Sequence, residues 1–168
     1  FVDTLLGQEE PLFDYSFQQM SQVSQKKLFL VVASESTSTT DMVAVFTEKK
    51  DLLGDLYTSL VFANDQFVSL WETSDRHEHL TDTFRLIRCL LKEMGNIMGI
   101  PIETDTSTRV LNDLMRMEGV ICAGCPGSGG YDGMFVLTVD SPNVKESLYE
   151  SITEKYPGLT LLEVGIDQ

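Results

Sequence analysis

The run from Gly119 to Val139 constrains this chain more than any other part of it. An apolar stretch, Val120-Ile121-Cys122-Ala123-Gly124-Cys125, breaks at Pro126-Gly127-Ser128-Gly129-Gly130 and resumes past Tyr131 and Asp132 as Met134-Phe135-Val136-Leu137-Thr138-Val139. Short apolar runs rich in β-branched and aromatic residues, bounded by glycine and proline, read as buried strands. The join is too long and too rich in glycine for a two-residue hairpin turn. Glycine lets the backbone reach angles closed to other residues and lets a ligand approach closely. Successive free N–H groups in such a loop form a concave nest for an anion. An ordinary connection whose glycines serve only turn geometry satisfies the same residues.

The rest of the chain supplies a core around that hairpin. Lys27 to Ala33 is a first strand, continuous enough to be buried on both faces, and Leu159 to Val164 is a last one after the Pro157-Gly158 turn. The strands are expected at Leu28–Ala33, Val120–Cys125, Met134–Val139 and Leu159–Val164. Helical spacing places Leu56, Leu60, Ala63, Phe67 and Trp71 on one face, and Leu80, Phe84, Ile87, Leu91, Met94 and Met98 on another. Thr73 to His79 is polar and marks the turn between them. Thr104 to Thr108 caps a helix carrying Val110, Leu111, Leu114 and Met115, which Gly119 ends. Asp140-Ser141-Pro142 opens the last helix, with Val144, Leu148 and Ile152 on one side. The fold class expected is α+β: an antiparallel sheet of about four strands covered by helices. Residues 1–26 show no sustained period and read as a lead-in from something upstream; residues 27–168 read as the domain. The opening at Phe1 is that expected of a fragment.

Charge narrows the partners. Lys plus Arg number 12 against 26 Asp plus Glu, a net charge of −14. That argues against a nucleic-acid partner, which demands clustered basic residues. No apolar run approaches membrane-spanning length. An anionic substrate therefore needs local positive charge or a metal ion. Arg85, Arg88 and Lys92 form the one close basic group on a helix, and the plainest account is a solvated face. Ser34 to Thr40, hydroxyl-rich and placed between a strand and a helix start, suits either N-capping or an anion site. His77 and His79 sit in the polar turn and do not make a metal site. Cys89, Cys122 and Cys125 lie in apolar surroundings, so buried reduced thiols and a cytoplasmic location are expected.

These residues resemble the C-terminal domain of eukaryotic phosphomevalonate kinases, within the superfamily of galactokinase, homoserine kinase and mevalonate kinase. The resemblance runs from about Leu28 to the end. Gly119-Val120-Ile121-Cys122, then Cys125-Pro126-Gly127-Ser128-Gly129-Gly130-Tyr131-Asp132, is similar to the family's GV-x-x-x-x-PGAGGYDA, with Ser128 and Gly133 at its alanine positions. A second block is Leu56-Tyr57-Thr58 with Ala63-Asn64 and Phe67; a third is Ile87-Arg88 through Met94-Gly95, then Pro101-Ile102-Glu103 and Thr108 before Leu111. Where the family has a GD-x-x-x-GS-x-T stretch, this chain has Ala33-Ser34-Glu35-Ser36-Thr37-Ser38-Thr39, and Ser107 replaces a glutamine.

The resemblance implies transfer of the ATP γ-phosphoryl group to 5-phosphomevalonate in isoprenoid and sterol biosynthesis. It implies Mg2+ and ATP bound mainly through an N-terminal lobe, whose GLGSSA-type phosphate loop has no counterpart here. The phosphate- or substrate-binding residues implied are Gly127, Ser128, Gly129, Gly130, Tyr131, Asp132, Arg88, Ser36, Ser38 and Thr39. Catalytic groups are expected in the other lobe, so this chain alone is expected to be inactive. Two alternatives stand beside it: a non-catalytic interaction domain that kept the fold, motivated by the lost glycines after the first strand, and a related kinase such as mevalonate kinase.

Overall fold

The structure, a computed structural model, describes residues 26–33, 39–73, 77–127, 129–130 and 133–165 of the 168. Strand β1 spans Lys26–Val32 and is followed by helix α1, Thr39–Lys49, and a single 3-10 turn. Two long helices come next, α2 (Asp55–Thr73) and α3 (His77–Met98), then the shorter α4 (Asp105–Leu114). Strands β2 (Val120–Gly124) and β3 (Gly133–Val139) flank the glycine loop. Helix α5 (Pro142–Lys155) and strand β4 (Thr160–Val164) close the order. The N-terminal stretch read as a lead-in lies outside the described residues, save that Lys26 already begins β1.

The sheet is antiparallel throughout, in the order β2-β3-β1-β4. This is the expected α+β architecture, with the strands shifted by one or two residues at their ends. Register explains the two faces, because side chains alternate along a strand. Phe29 lies opposite Val136 and Val31 opposite both Met134 and Leu161. These five share one face and pack against Val110, Leu111 and Leu114 of α4 and Val144, Leu148 and Ile152 of α5. The other face carries Leu137 and Val139, covered by Phe67, Leu70 and Trp71 of α2 and Leu80 of α3. Coverage there is partial: Leu28, Leu30 and Val32 are half-buried, so β1 alternates where burial on both faces is expected.

Edge strand β2 is protected by α3, one of the ways a sheet edge avoids stray pairing. A register shift between Val120 and Cys122 marks a bulge, and Thr81 Oγ1 of α3 donates to the Ile121 carbonyl at 2.8 Å. A third cluster joins α1, Leu53 just before α2 and the end of α3 through Met42, Leu53, Met94 and Met98; it includes Ile102, and Leu56 and Leu60 of α2 pack against it. His77 and His79 stand in the first turn of α3 rather than in a loop. No helix among the described residues is long and apolar enough to cross a membrane.

The cysteines divide. Cys122 is buried in β2, and burial pushes its thiol up to about 12. Cys89 is exposed, against expectation, because it points outward from α3 while Ile87 and Arg88 turn inward. The thiolate is the reactive form. An alkylating reagent added to the native chain should therefore modify Cys89 first and reach Cys122 only after unfolding, as peptide mass spectrometry would show. Equal labelling rates would contradict this packing.

Candidate functional site

The glycine loop leaves β2 at Gly124 and turns at Pro126. Gly127, Gly129 and Gly130 all have positive φ, +60°, +83° and +113°. The Gly129 N–H donates to the Pro126 carbonyl at 3.1 Å, closing a turn of four residues. The Gly130 N–H donates to the Ile102 carbonyl at 3.3 Å. Two of the N–H groups expected to form an anion nest are thus engaged within the chain. Gly127 differs: among the described residues nothing accepts from its N–H, and nothing lies within 4 Å of where a Cβ would stand. Among the described residues, the space where that Cβ would stand is open.

Gly129 is glycine for a packing reason as well as a conformational one. A Cβ there would overlap the Ile102 carbonyl oxygen and stand 2.6 Å from Ile102 Cα. The loop therefore rests directly on the Ile100–Thr104 connector between α3 and α4. That connector is tied down at both ends. The Ile100 N–H donates to the Gly95 carbonyl at 3.0 Å, and Thr104 caps α4 by accepting from the Ser107 N–H at 3.1 Å.

Arg88 occupies neither position expected of it. It is neither solvated nor open to a ligand: it is 5% exposed, and Glu103 on the connector is 8% exposed. Its Nε and Nη2 donate to the two Glu103 carboxylate oxygens at 3.0 and 2.6 Å, and Nη1 lies 3.2 Å from Met115 Sδ. A two-pronged, buried pair of this kind satisfies both charges at once. The substrate-phosphate contact implied by the resemblance is not what these contacts supply.

The neighbouring cations follow the same rule. Arg85 Nη2 donates to the Met115 carbonyl at the end of α4 at 3.0 Å. Lys92 Nζ bridges Asp105 and Thr108 Oγ1, each at 2.8 Å, at the start of α4. The Lys92 hydrogen bond, and then its charge, hold the Asp105 carboxyl below its usual range. The basic stripe of α3 is a fastening for α4 and its connector. Spacing alone shows the stripe but not what it faces; the acidic residue in Pro101-Ile102-Glu103 was the signal that could have found it.

Of the other expected site residues, Ser36, Ser38, Ser128, Tyr131 and Asp132 lie outside the described residues, and Thr39 is the first residue of α1. No group of three His, Cys, Asp or Glu residues suited to a metal occurs among the described residues. What the described loop offers is the Gly127 N–H, a donor that suits an anion and not a cation. A cleft of about 520 Å³ lined by His77, Asp82, Arg85, Arg116 and Gly119 lies at the far end of β2 from the loop.

No family model matches the chain. Among curated proteins it is 41% identical over 59 residues to a phosphomevalonate kinase of Arabidopsis thaliana named as peroxisomal, covering 35% of this chain and 12% of that one. It is 31% identical over 101 residues to a phosphomevalonate kinase of Gibberella zeae, covering 60% and 22%. The matches thus span less than a quarter of those relatives' own length. Among solved structures, Streptococcus pneumoniae phosphomevalonate kinase superposes with a TM-score of 0.63 at 19% identity, over 98% of this chain and 50% of that one. L. major mevalonate kinase in complex with R-mevalonate gives 0.62 at 16%, over 83% and 42%. By sequence part of the chain is similar to eukaryotic phosphomevalonate kinases, and its fold is one that solved phosphomevalonate and mevalonate kinases contain.

Proposed function

We propose that this chain serves as the C-terminal lobe of a phosphomevalonate kinase and lends its glycine loop to the phosphate side of an active site completed by an N-terminal lobe. The observation that carries the reading is the open side of Gly127, in a loop whose Pro126-Gly127 and Gly129-Gly130 match the family pattern. In the reaction a phosphate oxygen of 5-phosphomevalonate attacks the γ-phosphorus of ATP. The bond to the β,γ-bridging oxygen breaks, leaving ADP and the diphosphate. Phosphoryl transfer asks a protein mainly for positioning and for stabilisation of charge.

The Gly127 N–H is a neutral donor that meets a phosphate oxygen without side-chain bulk. A chain of net charge −14 supplies little positive charge of its own, and its basic stripe is engaged in holding α4. Positive charge is therefore assigned to the other lobe and to Mg2+ carried with ATP. The described residues do not form a site for that ion. The product feeds isoprenoid and sterol synthesis, and a cytoplasmic location suits the reduced thiols of Cys89 and Cys122.

The test is ADP release with 5-phosphomevalonate as acceptor. A longer protein carrying a GLGSSA-type lobe before this chain should turn over, should stop on addition of a chelator, and should accept mevalonate poorly. The 168-residue chain alone should show no turnover. Turnover by the isolated chain would overturn the two-lobe division. A folded two-lobe protein with no turnover would favour a non-catalytic interaction domain.

A further inference from the structure

We infer that the buried Arg88–Glu103 pair is a positioning device for the glycine loop. The inference rests on the proposed kinase reading for its purpose, but its geometry stands without it. Arg88 rises from the middle of α3, a 22-residue helix packed on β2 and α2. Glu103 belongs to the connector, which has no regular structure of its own. The residue before it, Ile102, gives its carbonyl to the Gly130 N–H and forms the wall on which Gly129 rests. An unbroken path therefore runs from the helix through the guanidinium and carboxylate to the connector backbone and into the loop.

The chemistry of the pair suits positioning. The Ile102 side chain, buried with Met94 and Met98, sets how deep the connector lies. Apolar packing is non-directional and leaves a short segment free to turn about its own axis. A planar fork with two parallel hydrogen bonds fixes orientation as well as distance. A binding loop needs its supporting groups locked in this way, because a small misplacement of a preorganised donor carries a large loss in rate.

Two variants separate positioning from stability. Arg88→Lys keeps the charge and loses the fork. Arg88→Met with Glu103→Leu fills the space with apolar groups, an exchange that commonly preserves folding. Amide hydrogen exchange, followed by NMR on the 168-residue chain, reads the loop directly. In both variants the Gly130 amide should exchange about ten- to a hundredfold faster, while Val136 and Leu137 in the middle of the sheet stay protected. Gly130 protection that is unchanged, or that falls only in step with the sheet, would overturn the inference. So would unfolding of the apolar pair, since that would make the ion pair a staple of the core. In a longer, active protein the same variants should lower kcat and leave both KM values in place. A rise confined to the KM for 5-phosphomevalonate would return Arg88 to the substrate. The exchange result needs no turnover, so it stands or falls separately from the kinase reading.

Discussion

Gly129→Val is expected to unseat the glycine loop and, in a two-lobe enzyme, to lower turnover about a hundred- to a thousandfold. The sequence alone predicts that such a variant stays folded and fails because a side chain fills the phosphate's place, at a stability cost of about 1–3 kcal/mol. The structure assigns the failure a different cause. The new Cβ would meet the Ile102 carbonyl, and backbone at that point is not free to retreat: Ile102 is buried, and Glu103 beside it is held by Arg88. The loop must move instead, losing the Gly130 to Ile102 hydrogen bond. An inactive Gly129→Val would then say that the loop matters and nothing about what it touches.

Gly127→Ala is the sharper probe. Its φ of +60° strains an alanine by about 1–2 kcal/mol, yet the methyl group enters empty space. Melting should fall only by that strain. Turnover should fall about tenfold or more if a phosphate approaches this side, because its near-attack geometry is disturbed. Thermal melting and ADP release measured on the same samples separate the two effects. Near-native turnover with near-native melting would leave the open side of the loop without a ligand.

The elements were legible because they are written in short-range pattern. Apolar runs cut by glycine and proline fixed β2 and β3 to within a residue, and the 3.6-residue spacing of Leu80, Ile87, Met94 and Met98 gave α3 its buried face. The contacts of the site were not legible, because they join positions far apart in the chain. Arg88 reads as part of a solvated basic face until the connector is folded back onto it. Ile102 stands out only as part of Pro101-Ile102-Glu103, and nothing in that block shows that its carbonyl meets the loop. Gly129 reads as turn punctuation, which accounts for its φ but not for the backbone pressed against it. Cys89 misleads in the opposite way, since apolar neighbours in sequence leave a helical residue exposed when the stripe turns away from it.

Arg88→Met alone should destabilise the chain by about 3–5 kcal/mol, the usual consequence of removing one partner of a buried ion pair. For a domain of this size that lowers Tm by roughly 6–20 °C. The resemblance instead predicts a folded enzyme with a raised KM for 5-phosphomevalonate, an outcome open to Arg88 only if its guanidinium faces a ligand. Here its removal strands the Glu103 carboxylate in a site 8% exposed, without a counter-charge. Urea unfolding of both proteins should show that gap in stability directly. Adding Glu103→Leu should recover most of the loss, because no charge is left to strand. A gap that Glu103→Leu fails to narrow would mean that Arg88 stabilises the chain through its packing on Met115 and not through its charge.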